Sequence, residues 1–528
     1  AFGQKSPNSV TQNNSHRQYL TGQLIAEYKG VFGKHDINVL GGWSAEENLY
    51  EDLQGKRTNI VGNELPALNL GDTDGWSNAA DENEWALLSG FMRASYAFAA
   101  KYLVEVNFRA DASSRFSKKN RWGVFPSASV GWRITEEKFM QNQHIFDNLK
   151  LRASWGQLGN QNGLGLYDHI ASYNINGYYP FKSELGQWAV ISKLPSESRT
   201  WETVEVKNIA VDMAFLRNRL TVTGEYFIKK NKDMLVSIEI PSIIGIDVPT
   251  GNYGELKVKG WEVTVGWQDK IKDFSYGARF NLSDQKDKLV DYGVEYNGFV
   301  AGVNQKVQGY SLGSIFGYRT DGYFTSEEEV KNSAAFNKAI TGVGDIKYID
   351  KDGDGKISAP NDLEYLGTTT PRYTFGLNLT AAWKGFDLGV LLQGVGKRNF
   401  YLSSEVMNPY YATWNNFSYK MHNDYWTPEN PNAAFPRYYA GANHNYQISD
   451  HWLQNAAYVR LKNLQLGYTI SPKLTKSWGI QRLRVYFSGD NLCEYSKLND
   501  NFDPELSDIN GYVYPIMRNF SFGINVTL

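Results

Sequence analysis

The run Tyr-Ile-Asp-Lys-Asp-Gly-Asp-Gly-Lys-Ile-Ser at 348–358 is the stretch whose residue types and spacing most directly suggest chemistry. Asp350, Asp352 and Asp354 stand at positions one, three and five of an EF-hand-like loop. Gly355 at position six permits the sharp turn, and Lys356 at seven can offer its backbone carbonyl. Hard oxygen donors at that spacing suit calcium, or magnesium. Position twelve is Asn361, where a calcium sensor carries a bidentate Glu. A solvated acidic turn is the competing reading. The run leads into Thr368, Thr369, Thr370 and Pro371, which read as the start of a strand, so the flanking helices of a sensor are missing. The expectation is a static clip with weak, extracellular-grade affinity.

Other constellations carry less. Gly309-Tyr-Ser-Leu-Gly313 matches the G-x-S-x-G nucleophile elbow, but the following SIFGYRTDGYF reads as strand and turn, where such a serine needs a helix. The seven histidines are scattered; His444 and His451 are the closest pair, and no H-E-x-x-H occurs, which argues against zinc. Glu136, Glu137 and the run Glu327–Glu329 read as solvated surface, the latter opening a short helix. No enzyme is expected. The segment 399–439 is crowded with rings, among them Tyr410, Tyr411, Trp414 and Trp426. Two readings stand for them: capture of a substrate or contact with a capping partner, and packing of the loop against itself.

The elements that position these groups are strands. Aromatic residues make up 14% of the chain and 49 Gly accompany only 16 Pro, a balance that favours strands and turns. Lys plus Arg (54) nearly cancels Asp plus Glu (56), so no global field draws the chain to nucleic acid. The single cysteine, Cys493, excludes an intrachain disulfide framework. No run of about 18 apolar residues occurs, and the mean hydropathy of −0.47 would suit a soluble protein. That index misleads for a barrel.

The apolar period is two. In NFSFGINVTL at 519–528, Phe520, Phe522, Ile524, Val526 and Leu528 alternate with polar or small residues. The pattern recurs in YLVEVNFRA, NRLTVTGEYF and TFGLNLTAAW, each about the 9–11 residues that cross a bilayer at a tilt. In YVRLKNLQLGY the phase changes between Leu461 and Leu464, which predicts a bulge near Lys462 and Asn463. Roughly sixteen such segments fit the template. From 371 onward the connections alternate short and long: Lys384-Gly385, then 398–456, then SPKLTKSWG, then 493–515. Transmembrane barrels keep that order, with short periplasmic turns and long extracellular loops, whereas a soluble sandwich has no reason to. Parity then places a loop at roughly 310–370, with the aspartate run in it, on the extracellular side. Trp132, Trp155 and Trp383 read as interface girdle residues.

Longer stretches resemble a family. FRADASSRF at 108–116, NRWGVFPSASVGWRITEEKF at 120–139, LKLRASWGQLGNQ at 149–161, TWETVEVKNIAVD at 200–212, QGYSLGSIFGYRTDGYF at 308–324, GDIKYIDKDGDGKI at 344–357, VYFSGDNL at 485–492 and DPE at 503–505 are similar to SusC/RagA-type TonB-dependent outer-membrane transporters. The resemblance implies an all-β fold, a transmembrane antiparallel barrel of about twenty-two strands in the full protein, filled by a plug and energised through a TonB box. It implies a SusD-like surface lipoprotein as lid, with a dimer of such pairs as a further arrangement, a glycan or peptide oligomer as substrate, and outer-membrane lipid around the barrel. Residues 1–528 are then expected to be the C-terminal part of that barrel, with plug and TonB box outside this chain. The family pattern ends the acidic loop in an Asp, and with one inserted residue Asp362 takes that place beside Asp350, Asp352, Asp354 and Lys356. Polar-face residues Arg109, Arg152, Glu225 and Lys462 would face the lumen or plug. A diffusive porin and a secreted all-β glycan-binding protein are the rival readings.

Overall fold

Alternating side chains need a partner strand on each flank, and the long strands of this chain supply one another. The computed structural model describes residues 7–528 apart from 63, 176, 182–183, 238–242, 244–249, 294–298, 411–418, 500–501, 507–513 and 515. Within it a 15-stranded antiparallel sheet runs in chain order, from Ser9–Phe32 and His35–Thr58 at one edge to Arg482–Ser496 and Asn519–Thr527 at the other. The expected count of roughly sixteen segments is close to what the sheet contains.

Connections alternate along the whole sheet. On one side lie the turns 33–34, 99–101, 134–145, 216–219, 272–273, 384–385 and 470–481. On the other lie 59–76, 114–121, 161–201, 237–250, 293–371, 398–457 and 497–518. Lys384 and Gly385 both have positive φ (43° and 95°), the backbone of a two-residue hairpin turn whose twist matches its strands. The aspartate run and the ring-rich segment both fall on the long-loop side, as parity predicts.

Strand length departs from expectation. Tyr102–Ser113 and Arg372–Trp383 have 12 residues, but Ser9–Phe32 and His35–Thr58 have 24. Apolar alternation reports only the stretch with one apolar side; backbone pairing continues beyond it wherever a neighbouring strand still offers donors and acceptors. The predicted bulge is present. Leu391 pairs with Asn463 and Leu392 with Leu461, so Lys462 is the extra residue.

Strands of each unit have two unlike sides. In the first unit Val104, Val106 and Phe108 are exposed on Tyr102–Ser113; in the second Phe520, Phe522, Ile524 and Val526 are exposed, Phe522 at 83%. Phe280, Leu377, Leu392 and Leu461 form a cross-strand row on this apolar side. The opposite face carries paired charges.

Contacts divide the chain into two compact units. The first holds 1–131, 154–206 and 231–254. Its buried cluster is Phe116, Phe125, Leu164 and Trp201, and two small hairpins pair Ser172–Asn174 with Val190–Lys193 and Tyr178–Phe181 with Glu184–Gln187. The second holds 132–153, 207–230 and 255–528. Its long loops build a core of their own from Tyr318, Ile346, Leu363, Phe400, Val406, Phe435 and Trp452.

Replacing Leu377 with Arg puts a charge in the middle of the apolar row. The expected cost is about 2–4 kcal/mol if that row sits near a bilayer midplane, read as a lower urea midpoint in lipid vesicles and lost heat resistance on gels. Unchanged unfolding would mean that the apolar row is not the lipid face.

Candidate functional site

Short-range hydrogen bonding shapes the acidic loop. Asp350 sits in the turn so that its carboxylate accepts from Gly353 N (2.7 Å) and Gly355 N (2.8 Å). Those amide bonds, Gly355's foremost, hold its pKa below the usual carboxylate range. Gly353 and Gly355 take positive φ (76° and 83°), so both of these turn positions favour glycine. Asp352 accepts from Asp354 N (3.2 Å) and from Asn361 Nδ2 (2.7 Å). Asp362 is buried and accepts from Lys351 N (2.8 Å) and Ser358 N (2.7 Å), closing the loop at its far end.

Asp350, Asp352 and Asp362 each offer a carboxylate oxygen within 4.8 Å of the others. Among the described residues this is the one such acidic or histidine grouping. Asp354 stands outside it, its Oδ1 accepting from Lys356 N (2.8 Å). The Asp362 position, reached only by allowing an inserted residue, is the one that closes the group.

Beside this loop lies a carboxylate that spacing did not single out. Asp345 is 0% exposed. Its oxygens accept from Gly342 N (2.7 Å), Asn445 Nδ2 (2.9 Å) and Tyr439 Oη (3.0 Å), and His444 Nε2 lies 2.9 Å away. Asn445 Oδ1 in turn accepts from Ile346 N (2.9 Å). Burial, followed by the charge of Asp345, pushes the Tyr439 hydroxyl up to about 12. The cluster pins the strand Ile346–Tyr348, immediately before the acidic loop, to the segment 437–446. A Gly-Asp pair followed by apolar alternation carries no signal for such a partner about a hundred residues away.

Among the described residues of the ring-rich segment, rings pack on one another and on neighbouring loop backbone. Trp426 lies against Gly344, where a Cβ would stand 2.3 Å from the indole. Tyr410 remains 37% exposed, its ring 5.5 Å from that of Tyr438. Tyr411 and Trp414 lie outside the described residues. His422 is a clip: its Nδ1 accepts from Tyr419 N (2.9 Å) and its Nε2 lies 2.8 Å from the Val406 carbonyl, while burial lowers its pKa. His444 and His451 have separate partners, His451 Nε2 sitting 3.1 Å from the Ala434 carbonyl. Ser311 of the G-x-S-x-G match donates to Asp287 (2.5 Å), a carboxylate that also accepts from Leu312 N (2.7 Å). The arrangement is a turn brace.

The polar face is crossed by ion pairs. Arg152 reaches Asp212 (3.1 Å) and Glu225 (2.9 Å), and Arg109 reaches Asp111 (2.8 Å). Arg460, 2% exposed, meets Asp503 (2.7 Å) and Glu505 (3.1 Å), and Lys462 meets Glu505 (2.8 Å). Arg398 adds a bond to the Leu506 carbonyl (3.0 Å). The Asp-Pro-Glu segment is thus gripped by three cations. Trp132, Trp155 and Trp383 are all exposed, and Trp155 donates its indole N–H to Glu205 (3.3 Å).

Asp345→Ala removes the acceptor from four donors at once, and the expected destabilisation is about 3 kcal/mol. Hydrogen exchange should accelerate at Ile346 and across 437–446 while strands 372–397 keep their protection. Unchanged exchange there would mean that the cluster does not hold the two segments together.

Comparisons with known proteins agree with this architecture. A family model described as "TonB dependent receptor-like, beta-barrel" matches residues 2–492. TonB-dependent receptor P26 of Formosa agariphila is 30% identical over 530 residues, covering 95% of this chain and 52% of that protein. TonB-dependent receptor SusC of Bacteroides thetaiotaomicron is 28% identical over 463 residues, covering 83% of this chain and 43% of that protein. The solved RagAB peptide transporter superposes with a TM-score of 0.83 at 24% identity, over 98% of this chain and 56% of that one. The chain spans about half the length of the curated relatives it matches. With the sheet, its alternating connections and the matched length together, the chain belongs to the TonB-dependent receptor β-barrel family of outer-membrane transport proteins.

Proposed function

We propose that this chain is the C-terminal barrel portion of a transporter that imports an oligomeric nutrient, a glycan or a peptide, across the outer membrane of a Gram-negative bacterium. Its likeness to TonB-dependent receptor P26 over 95% of the chain and to SusC over 83% is the observation that carries this reading. The unlike faces support it: exposed apolar rows suit lipid, and paired charges suit a polar interior. Import is driven through TonB, contacted by a segment outside residues 1–528, and a plug outside the same range closes the lumen. A SusD-like lipoprotein caps the extracellular side. Its proposed contacts, or the substrate's, are Tyr410, Tyr411, Trp414 and Trp426 in the ring-rich loop; of these Tyr410 is the described residue with the most accessible ring.

A calcium or magnesium ion fits the acidic loop as a brace. Asp350, Asp352 and Asp362 present hard oxygens close enough to share one ion, and each carboxylate keeps lone pairs beyond those its amide partners use. Asp354 and the Lys356 carbonyl would complete the proposed set once the Asp354 carboxylate turns in from its bond to Lys356 N. The ion would stiffen the segment before Leu363–Thr368 and has no part in transport chemistry.

Two experiments test these readings. Deleting the gene in its host should abolish growth on one class of oligomer, and dissipating the proton gradient should stop the same uptake in the parent. Uptake that persists without the gradient points to a diffusive porin, and a protein recovered from the medium instead of the outer membrane points to a secreted binding protein. Calorimetry on the purified protein should show one calcium bound with a dissociation constant of about 0.1–1 mM, lost in Asp362→Asn. The absence of heat up to several millimolar removes the ion.

A further inference from the structure

Two residues suffice to reverse the chain at 33–34, 272–273 and 384–385, yet the turn at 470–481 on the same side has twelve. The surplus is ordered. Pro472–Thr475 and Lys476–Trp478 form successive helical turns, opened by Leu474 N donating to the Ser471 carbonyl (2.9 Å). A left-handed Gly479 (φ 73°) closes them, with Gly479 N donating to the Lys476 carbonyl and Ile480 N to the Thr475 carbonyl, both at 3.1 Å. Thr475 is buried and seats the turn against the protein.

What the turn presents is apolar and basic. Leu474 and Trp478 stand four apart, hence on one side of a helical turn, and are 60% and 63% exposed. Lys473 and Lys476 are exposed beside them, and residues 470–481 contain no acid. A third lysine stands close by in the chain fold. Lys384 lies with its ammonium 5.4 Å from the Trp383 ring, and its turn is joined to the helical one by the bond from Thr469 N to the Gly385 carbonyl (2.7 Å). The adjoining turn Lys272-Asp273 is neutral in sum.

The neighbouring strands give the depth at which these groups stand. Phe274, Trp383, Phe386 and Tyr468 are direct cross-strand partners and all are exposed, the last two with rings 4.5 Å apart. Trp383 is an even number of residues from Leu377, so this ring row shares a side with the apolar row described above. Six residues at about 3.4 Å each, tilted by about 40°, descend about 15 Å along the membrane normal. That is half of a hydrocarbon core of about 30 Å. With the Leu377 row at the midplane, the rings reach the hydrocarbon boundary, and the turn that follows Tyr468 reaches the headgroups.

At that depth Leu474 and Trp478 meet the tops of acyl chains, and three lysines with no acid in either turn meet phosphate. A zwitterionic headgroup carries its own cation beside its phosphate, so the excess positive charge favours an anionic one. A protein partner on this rim would have to displace the lipid that the ring row meets. We infer that the turn Ser471–Gly479 lies in the headgroup layer of the periplasmic leaflet and, with Lys384, binds an anionic phospholipid. The inference rests on the transport reading and adds to it a lipid class and the place where that lipid is held.

The test uses the full-length protein. In detergent, native mass spectrometry should show phosphatidylglycerol retained more tightly than phosphatidylcholine. Lys384→Gln, Lys473→Gln and Lys476→Gln should each weaken phosphatidylglycerol retention about fivefold and leave phosphatidylcholine unchanged. In vesicles of the two lipids, a spin label on Leu474→Cys as the protein's single cysteine should meet dissolved oxygen more readily than a water-soluble nickel complex. Heat-modifiable migration checks that each variant is folded. Equal retention of the two lipids, or phosphatidylglycerol retention unchanged in all three folded lysine variants, overturns the lipid site. A label open to the nickel complex, or shielded from both reagents by a plug or protein partner, overturns the seating of the turn. Each of these results, on protein recovered from the outer membrane, leaves transport standing. Recovery from the medium, with normal uptake in the gene-deletion strain, removes the transport reading itself.

Discussion

A peptide group placed in hydrocarbon has nothing to hydrogen-bond except another peptide group, and the long sheet of this protein is the consequence of that constraint. Each strand between the two edges is paired on both flanks, so side chains are free to differ completely between its two sides. Phe520, Phe522 and Ile524 can stand exposed on one face because no backbone group depends on them. Arg152, Asp212 and Glu225 can cluster on the other because the ladder beneath them is already complete. Even the Lys462 bulge serves this division. It inserts one residue where the strand would otherwise carry Leu464 and Leu466 to the polar side, and so keeps them in line with Leu461.

The loops face the opposite problem. Their backbone has no continuous ladder, so ordered structure there requires a separate core and separate polar closure. Trp452, Phe435, Val406 and Leu363 provide the first. Asp345, with its amide, amido, hydroxyl and imidazole partners, provides the second. A buried carboxylate is costly unless nearly every lone pair is used, and its placement at the junction of two loop segments allows only a narrow set of arrangements between them. The acidic turn at 350–362 begins five residues beyond this junction and inherits its position from it.

Much of this was legible in the sequence, and the boundary has a physical cause. Period-two alternation marks a strand with unlike faces, so the segments ending at Leu528, the turn at Lys384-Gly385 and the phase change at Lys462 were readable directly. The same signal was silent about the polar-solvent ends of Ser9–Phe32 and His35–Thr58, where both faces are mixed. The acidic loop was legible because its ligands are close in sequence. Asp345 was not, because His444 and Asn445 come from a different loop. The indole of Trp155 shows a further limit: ring type suggests an interface, but says nothing of Glu205 as the partner of its N–H. For Tyr411 and Trp414 the question of packing against binding stays as the sequence posed it.

The grip of Arg460, Lys462 and Arg398 on the segment around Asp503–Glu505 joins two things that are usually independent, the posture of a surface loop and the register of a wall strand. Lys462 is the bulged residue and Arg460 stands two residues before it, so pulling that loop away would draw directly on the place in Tyr458–Thr469 where an extra residue is stored. Loop displacement and strand slippage then share a single coordinate. A load on that loop has a short route into Tyr458–Thr469, and the route ends at the bulge.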